Sequence, residues 1–310
     1  QQGGYIQGEQ PELIPSIFED GFANIWETPL ETDTPMFWHI PKNGGTTVAD
    51  IMTHCLGLVS ASSIGATEGH GEEAELMVRT YQDQGRYVNV NVASIPGISH
   101  AKQLGLVKAG LADVIVLHRL HEGAILFEPS HKARVFSLFR HPVQRAISMF
   151  YYLQQATWEP TYDPAFATMT LNDYAHSNKV EENWVTRFLV HKYTGKLEKE
   201  HVEAAKQIMR NKMLVGILEN FQESLKRFEL YFDWWEHKVR QGDPARAVQC
   251  QQNKARASQN KVKHPHPETE DAGYQRLLQL NWADLELYEY AKVLFEEQHE
   301  LVKMKDTSMI

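Results

Sequence analysis

An α/β fold is predicted for this 310-residue chain, with a central parallel sheet flanked by helices on both faces and a helix-rich C-terminal half. Three observations predict it. Short apolar runs alternate with helix-length segments through the first half, the pattern of strands joined by crossover helices. The runs at 36–40, 114–117 and 135–139 each stop at a loop bearing basic residues. Beyond residue 170 helical patterning dominates, interrupted by one apolar run at 213–217.

Residues 1–33, rich in Gly, Pro, Gln and acidic side chains, are expected to form an irregular N-terminal arm, and 34–310 a single domain. Met36 to Ile40, between Pro35 and Pro41, suits a buried strand. After a loop over 41–47, Val48, Ile51, Met52 and Cys55 recur at helical spacing until Gly57. Residues 60–85 suggest a loop or a short acidic helix, Tyr87 to Val92 a strand, and 98–110 a helix. Val114 to Leu117 is a strand ending at His118, and Val135 to Phe139 one ending at Arg140. Pro142 follows at a helix first turn, where its missing N–H costs nothing. Helices are expected near 170–177, 181–192, 198–211, 219–240 and 273–300, a strand at Met213 to Ile217, and a long loop at 242–270. Ligands of such sheets bind beyond the carboxyl ends of the strands, so the loops at 41–47, 118–121 and 140–148 can share one crevice.

The composition, 42% hydrophobic and 23% charged, is ordinary for a globular chain. A formal net charge of −9 argues against a general nucleic-acid binder and against a densely anionic acceptor, while leaving room for a small basic pocket. Cys55 and Cys250 have no metal-ligand spacing; two separate thiols are expected, with one long-range disulfide as the alternative. The chain has no Asn-x-Ser/Thr sequon, which disfavours a glycosylated secretory protein, and no apolar run of about 18 residues to span a membrane. It begins at Gln1, so removal of an upstream targeting segment or anchor is an expectation. For a eukaryotic chain that would mean the Golgi lumen, and otherwise the cytoplasm.

The segment Pro41-Lys42-Asn43-Gly44-Gly45-Thr46-Thr47, between a strand and a helix, has the makings of a phosphate cradle. Glycines let the backbone approach an anion, the helix N-terminus offers free N–H groups, Lys42 adds a charge, and Thr46 and Thr47 add hydroxyls. It is P-loop-like but not a Walker A loop, because Lys42 precedes the glycines, which weakens an NTPase reading. A plain Gly-Gly turn is the alternative. The second constellation is Arg140 to Ser148: a guanidinium can hold a phosphate bidentately and a serine hydroxyl can donate to the same group. Arg145 is either a second ligand or an ion-pairing brace.

Ile40 to Thr47 resembles the 5′-phosphosulfate loop of sulfotransferases that use 3′-phosphoadenosine 5′-phosphosulfate (PAPS), in the form seen in carbohydrate O-sulfotransferases such as the heparan sulfate 2-O and 6-O enzymes. Phe139 to Tyr152 resembles the same family's 3′-phosphate motif, R-x-P-x-x-R-x-x-S-x-x-Y. Softer similarities at Asn183 to Leu189, Leu214 to Phe221 and Asn281 to Phe295 extend the resemblance over about residues 35–300. It implies that Lys42, Asn43, Gly44, Gly45, Thr46 and Thr47 hold the 5′-phosphosulfate, and that Arg140 and Ser148 hold the 3′-phosphate. Lys261 and Lys263 would sit on a basic loop closing over the nucleotide. Asn43 stands where relatives often carry Thr or Ser. The partners implied are PAPS, with PAP as product, and a hydroxyl-bearing acceptor, a glycan or a small molecule.

Sulfuryl transfer requires a group to neutralise the leaving charge, for which Lys42 is suited, and a base for the acceptor proton. His118, at a strand end, is the expected base. The resemblance puts a histidine in that role at this place, and imidazole titrates near neutrality. His121 and Glu122 are rivals, and a purely structural His118 is the bland alternative. Fifteen histidines invite a metal, but neither His118/His121 nor His264/His266 sits in a zinc-like spacing, so none is expected. Trp158, Tyr162, Trp184, Trp234 and Trp235 are core, rim or acceptor-stacking residues. The competing functions are transfer to a small alcohol or phenol, a different P-loop phosphotransferase, and a non-catalytic nucleotide-binding module.

Overall fold

The computed structural model describes residues 14–81, 85–159, 162–234, 242–260, 265 and 267–306. Its strands are β1 (Thr34–Trp38), β2 (Val59–Ala61), β3 (Val78–Thr80), β4 (Arg86–Val88), β5 (Val114–Leu117), β6 (Ala133–Phe139) and β7 (Met213–Ile217). They form one sheet in the order β3-β4-β2-β5-β1-β6-β7, parallel throughout except where β3 pairs with β4. β1 lies between β5 and β6 in register, Met36 opposite both Ile115 and Val135. The chain leaves β1 toward one edge, returns in β5 and crosses in β6, so the strand order reverses at β1. That reversal opens a crevice at the strand ends.

The central strands are apolar along their length because both faces are covered. Met36, Trp38, Ile115, Leu117, Val135 and Val215 point into one layer, with helices Ile95–Gln103, Lys199–Lys212 and Trp282–Glu297. Phe37, Val114, Phe136, Leu138 and Leu214 point into the other, with helices Gly45–Asp50 and Phe221–Tyr231. Successive residues of a strand face opposite sides, so one run feeds both cores. A third cluster, around Phe150, Phe166, Tyr174 and Leu277, joins helix Pro142–Leu153 to helices Leu171–His176 and Ala272–Leu280.

The structure departs from the sequence expectations at specific elements. Residues 60–85 contain β3 and most of β2 beside a short helix, Ile64–Thr67. Both strands are three residues long, too short to carry a period, and Val78 and Thr80 on the sheet edge are exposed. Residues 14–33 carry helix Ser16–Gly21 and bury Phe18, Phe22 and Ile25. They are held by Arg134, which is ion-paired to Asp33 at 2.7 Å and donates to the carbonyls of Asn24, Glu27 and Thr28. The segment expected as one helix over 273–300 is broken after Leu280 and again at Gln298.

The expected loop at 242–270 is instead largely helix Pro244–Asn260. Few apolar residues mark it, so its sequence shows no stripe. Tertiary contacts hold it: Lys254 pairs with Asp50 at 2.7 Å, Gln251 donates to Glu229 at 2.9 Å, and Cys250 is bonded to Cys55. The expectation of two separate thiols is therefore corrected. The cysteines are 195 residues apart in sequence. They meet because helix Pro244–Asn260 packs on the π-helical turn Ile51–Cys55 that continues the helix after the glycine loop. Among the described residues no helix is long and apolar enough to cross a membrane.

Candidate functional site

The loops after β1, β5 and β6 converge. After β1 the chain turns sharply, with Lys42 at φ 66° and Gly44 at φ 81°, and helix Gly45–Asp50 begins immediately. Gly45 has a specific steric reason: a Cβ there would lie 2.1 Å from Cδ2 of His39. The Asn43 side chain points inward rather than to the crevice. It is 1% exposed, and its amide donates to the Leu138 carbonyl of β6 at 3.0 Å. Its Oδ1 is buried without a protein partner. Asn43 therefore ties the loop to the sheet while its backbone N–H donates to the Ile40 carbonyl at 3.3 Å.

Arg140 reaches back over this turn. Its Nη1 donates to the Lys42 carbonyl at 2.9 Å, across 98 residues of sequence. Burial lowers the pKa of the Lys42 ammonium, and the neighbouring Arg140 charge lowers it further, opposed by Glu159. Burial likewise lowers that of Arg140. Two cations held together in a partly desolvated crevice favour an anion between them. The Lys42 ammonium rests over the Tyr152 ring, 4.0 Å from its centroid, and the Tyr152 hydroxyl donates to Glu159.

Ser148 is buried on helix Pro142–Leu153, two turns beyond Arg140. Arg145, one turn along, is 1% exposed and bound to Glu181 through its carbonyl at 3.2 Å and its carboxylate at 3.5 Å. Of the two roles open to it, this is the brace. Thr46 is exposed and Thr47 half-buried on the first turn of helix Gly45–Asp50. Lys261 and Lys263 lie outside the described residues.

His118 follows β5 and is half-buried. Its Nδ1 lies 2.7 Å from the His39 carbonyl oxygen. A carbonyl can only accept, so Nδ1 carries the proton and Nε2 keeps its lone pair. Its own carbonyl accepts from the Trp38 indole N–H at 3.0 Å, and its ring lies 4.4 Å from that of His39. Burial lowers the His118 pKa, with the His39 carbonyl and Glu159 acting the other way. His39 itself is pushed down to about 3, by burial first and then by the His118 and Lys42 charges.

His121 is turned elsewhere. It is 7% exposed, its Nε2 donates to the Leu189 carbonyl at 2.9 Å, and its ring packs between Phe18 and His191 at 4.4 and 4.3 Å. Glu122 lies 3.7 Å from Arg119. The structure thus brings Lys42, Arg140 and His118 to one set of strand ends and directs the His121 ring into a packing layer. Sequence reasoning overlooked His39, Tyr152 and Glu159. His39 carries a signal, being the first residue past β1, but the apolar run 36–40 reads it as part of the strand. Tyr152 and Glu159 had none beyond their neighbourhood of a motif. Among the described residues no group of three His, Cys, Asp or Glu side chains could hold a metal ion.

No protein-family model matches the chain. No curated protein matches it either. Among solved structures, it is similar to the mouse sulfotransferase SULT7A1 complexed with PAP, at 12% identity and a TM-score of 0.40, over 93% of this chain and 94% of that one.

Proposed function

We propose that the chain is a PAPS-dependent sulfotransferase that delivers a sulfuryl group to an acceptor hydroxyl on a carbohydrate. The observation that carries the reading is the contact between Arg140 and the Lys42 carbonyl at 2.9 Å, which joins two anion-binding segments into one cationic site. The residues fit a bisphosphorylated nucleotide: Gly44 at φ 81° makes the sharp turn, a helix N-terminus follows it, and two partly desolvated cations, Lys42 and Arg140, lie side by side at it. When bound, PAPS supplies a sulfuryl group on a good leaving group.

Lys42 offsets the negative charge that grows on the departing phosphate oxygen as the sulfur–oxygen bond to it breaks. His118 Nε2 accepts the proton of the acceptor hydroxyl as the new oxygen–sulfur bond forms. Its Nδ1–H, held on the His39 carbonyl, fixes the ring's orientation and tautomer. Arg140 and Ser148 position the other end of the nucleotide. The His39 ring, kept neutral by burial, packs against Gly45 and adds no charge to the cradle.

Calorimetry with adenosine 3′,5′-bisphosphate and single-turnover transfer from labelled PAPS test this reading. Lys42→Ala and Arg140→Ala should abolish measurable nucleotide binding. His118→Ala should keep it and lose about 100-fold or more in transfer rate. Binding of ATP with Mg²⁺ in preference to the bisphosphate would establish the phosphotransferase alternative, and bisphosphate binding without any turnover the non-catalytic one.

A further inference from the structure

A groove along helix Trp184–Leu189 has no role in nucleotide binding as described above. It consists of two cavities of about 380 and 720 Å³ that share Glu182, Arg187 and Lys196. Tyr193 and Trp282 stand on opposite cavities, 42% and 37% exposed. Tyr193 is braced edge-on by Phe188 at 4.9 Å, and Phe188 is stacked on Trp184 at 3.8 Å. Supported rings of this kind present a fixed apolar face at little entropic cost.

The walls are preformed. Arg187 donates to the carbonyls of Glu182, Lys192 and Gly195, which fixes the turn carrying Tyr193. Asn183 and Asp284 lock the two helix starts that frame the groove. The Asn183 side-chain oxygen accepts from Ala283 and Asp284 N–H, while the Asp284 carboxylate accepts from Val185 and Thr186 N–H.

The wall of the groove backs onto the strand ends through packed side chains. Trp184 lies 6.0 Å from Trp38, whose indole holds the His118 carbonyl. Burial raises the pKa of the Tyr193 phenol, with smaller opposing effects from Glu122, which raises it, and Arg119, which lowers it, both on the turn just after His118.

The charge content of the groove selects the ligand. Arg187 is committed to Glu182 at 2.5 Å and three carbonyls, while Lys196 is paired with Glu198 at 3.0 Å on the exposed surface. Glu181, Glu182 and Glu198 balance Arg187, Lys196 and Lys199 along the lining. A sulfated or carboxylated chain would meet as many lining carboxylates as cations, and so no net attraction. Two adjoining open hollows, each with an exposed aromatic ring, instead suit the apolar C–H faces of successive uncharged sugar rings.

We infer that this groove is the acceptor site and that its substrate is an uncharged oligosaccharide. The assignment of an acceptor role rests on the sulfotransferase reading; the preference for uncharged sugar does not. The test is binding of the full chain, with saturating adenosine 3′,5′-bisphosphate, to a printed array of uncharged, sulfated and sialylated glycans. Signal should be confined to uncharged glycans and fall about tenfold or more in Tyr193→Ala and Trp282→Ala. Tyr193→Phe, which keeps the ring, should retain most of it, and all variants should bind the bisphosphate as the parent does. Stronger binding to anionic glycans, no glycan binding at all, or indifference to both alanine substitutions overturns the inference. Failure of the bisphosphate to bind while uncharged glycans still do overturns the sulfuryl-transfer reading and upholds the groove's sugar preference.

Discussion

Arg140 donates from Nη1 to the carbonyl of Lys42 at 2.9 Å, so a residue after β6 fixes the backbone of the turn after β1. The turn needs this support because Lys42 is held at φ 66°, a conformation costly to a residue with a side chain. Arg140 holds the turn, and under the proposed function it also presents its remaining N–H groups to an anion. A lysine cannot do both. Arg140→Lys should weaken bisphosphate binding by about 2 kcal/mol, or roughly thirtyfold, by calorimetry. An unchanged affinity would show that the guanidinium does not grip the nucleotide.

The acid limb of activity should lie below the ordinary histidine value of 6.5, because His118 must be neutral to act as base and burial lowers its pKa. Activity is then lost as pH falls through the His118 pKa. Glu159 raises that pKa, so Glu159→Gln should shift the limb of kcat/KM to still lower pH. On the alkaline side, transfer should fail as pH rises through the lowered pKa of Lys42, below its usual 10.5. A profile whose acid limb ignores Glu159→Gln would separate that carboxylate from the base.

Stability should also fall in acid. The folded pKa of His39 is about 3 against 6.5 ordinarily, so the unfolded chain binds the extra proton between these values. Stability associated with His39 is fully present above pH 6.5 and is lost toward pH 3, by at most about 1.4 kcal/mol per unit. Urea unfolding at several pH values should show this slope, and His39→Phe should flatten it.

Gly45→Ala places a methyl 2.1 Å from the His39 ring. The clash should cost about 1–3 kcal/mol and bisphosphate affinity with it. His39→Ala in the same chain should recover much of the stability, because it removes the atoms that are struck. A double-mutant cycle by urea denaturation measures the recovery, and simple additivity would place the two residues apart.

Reducing the bond between Cys55 and Cys250 releases a cross-link spanning 195 residues. Cys250→Ala should destabilise by about 2–5 kcal/mol. Amide exchange should quicken first in helix Pro244–Asn260, whose other anchors are the Lys254–Asp50 pair and the Gln251–Glu229 bond.

Asp284 is 2% exposed and accepts from two backbone N–H groups and the Thr186 hydroxyl, the last at 2.7 Å. Asp284→Ala leaves all three donors buried and should cost about 2–4 kcal/mol. Trp184, next to the freed helix start, should change its fluorescence.

Local chemistry was enough to foresee the central strands, because β5 and β7 are apolar along their length, and β6 over Val135 to Phe139 apart from Ser137. It was also enough to place Lys42, His118 and Arg140 at strand ends, because a parallel sheet gathers those ends on one side. What the folded chain alone settled are relations across long sequence separations. Helix Pro244–Asn260 carries few apolar residues and depends on Asp50, Cys55 and Glu229. Asn43 turns to the Leu138 carbonyl instead of the crevice. Two histidines three positions apart diverge: one ring is oriented by the His39 carbonyl, and the other is bonded to the carbonyl of Leu189. A side chain's partner is decided by which backbone the topology brings beside it, and residue type and spacing carry no record of that.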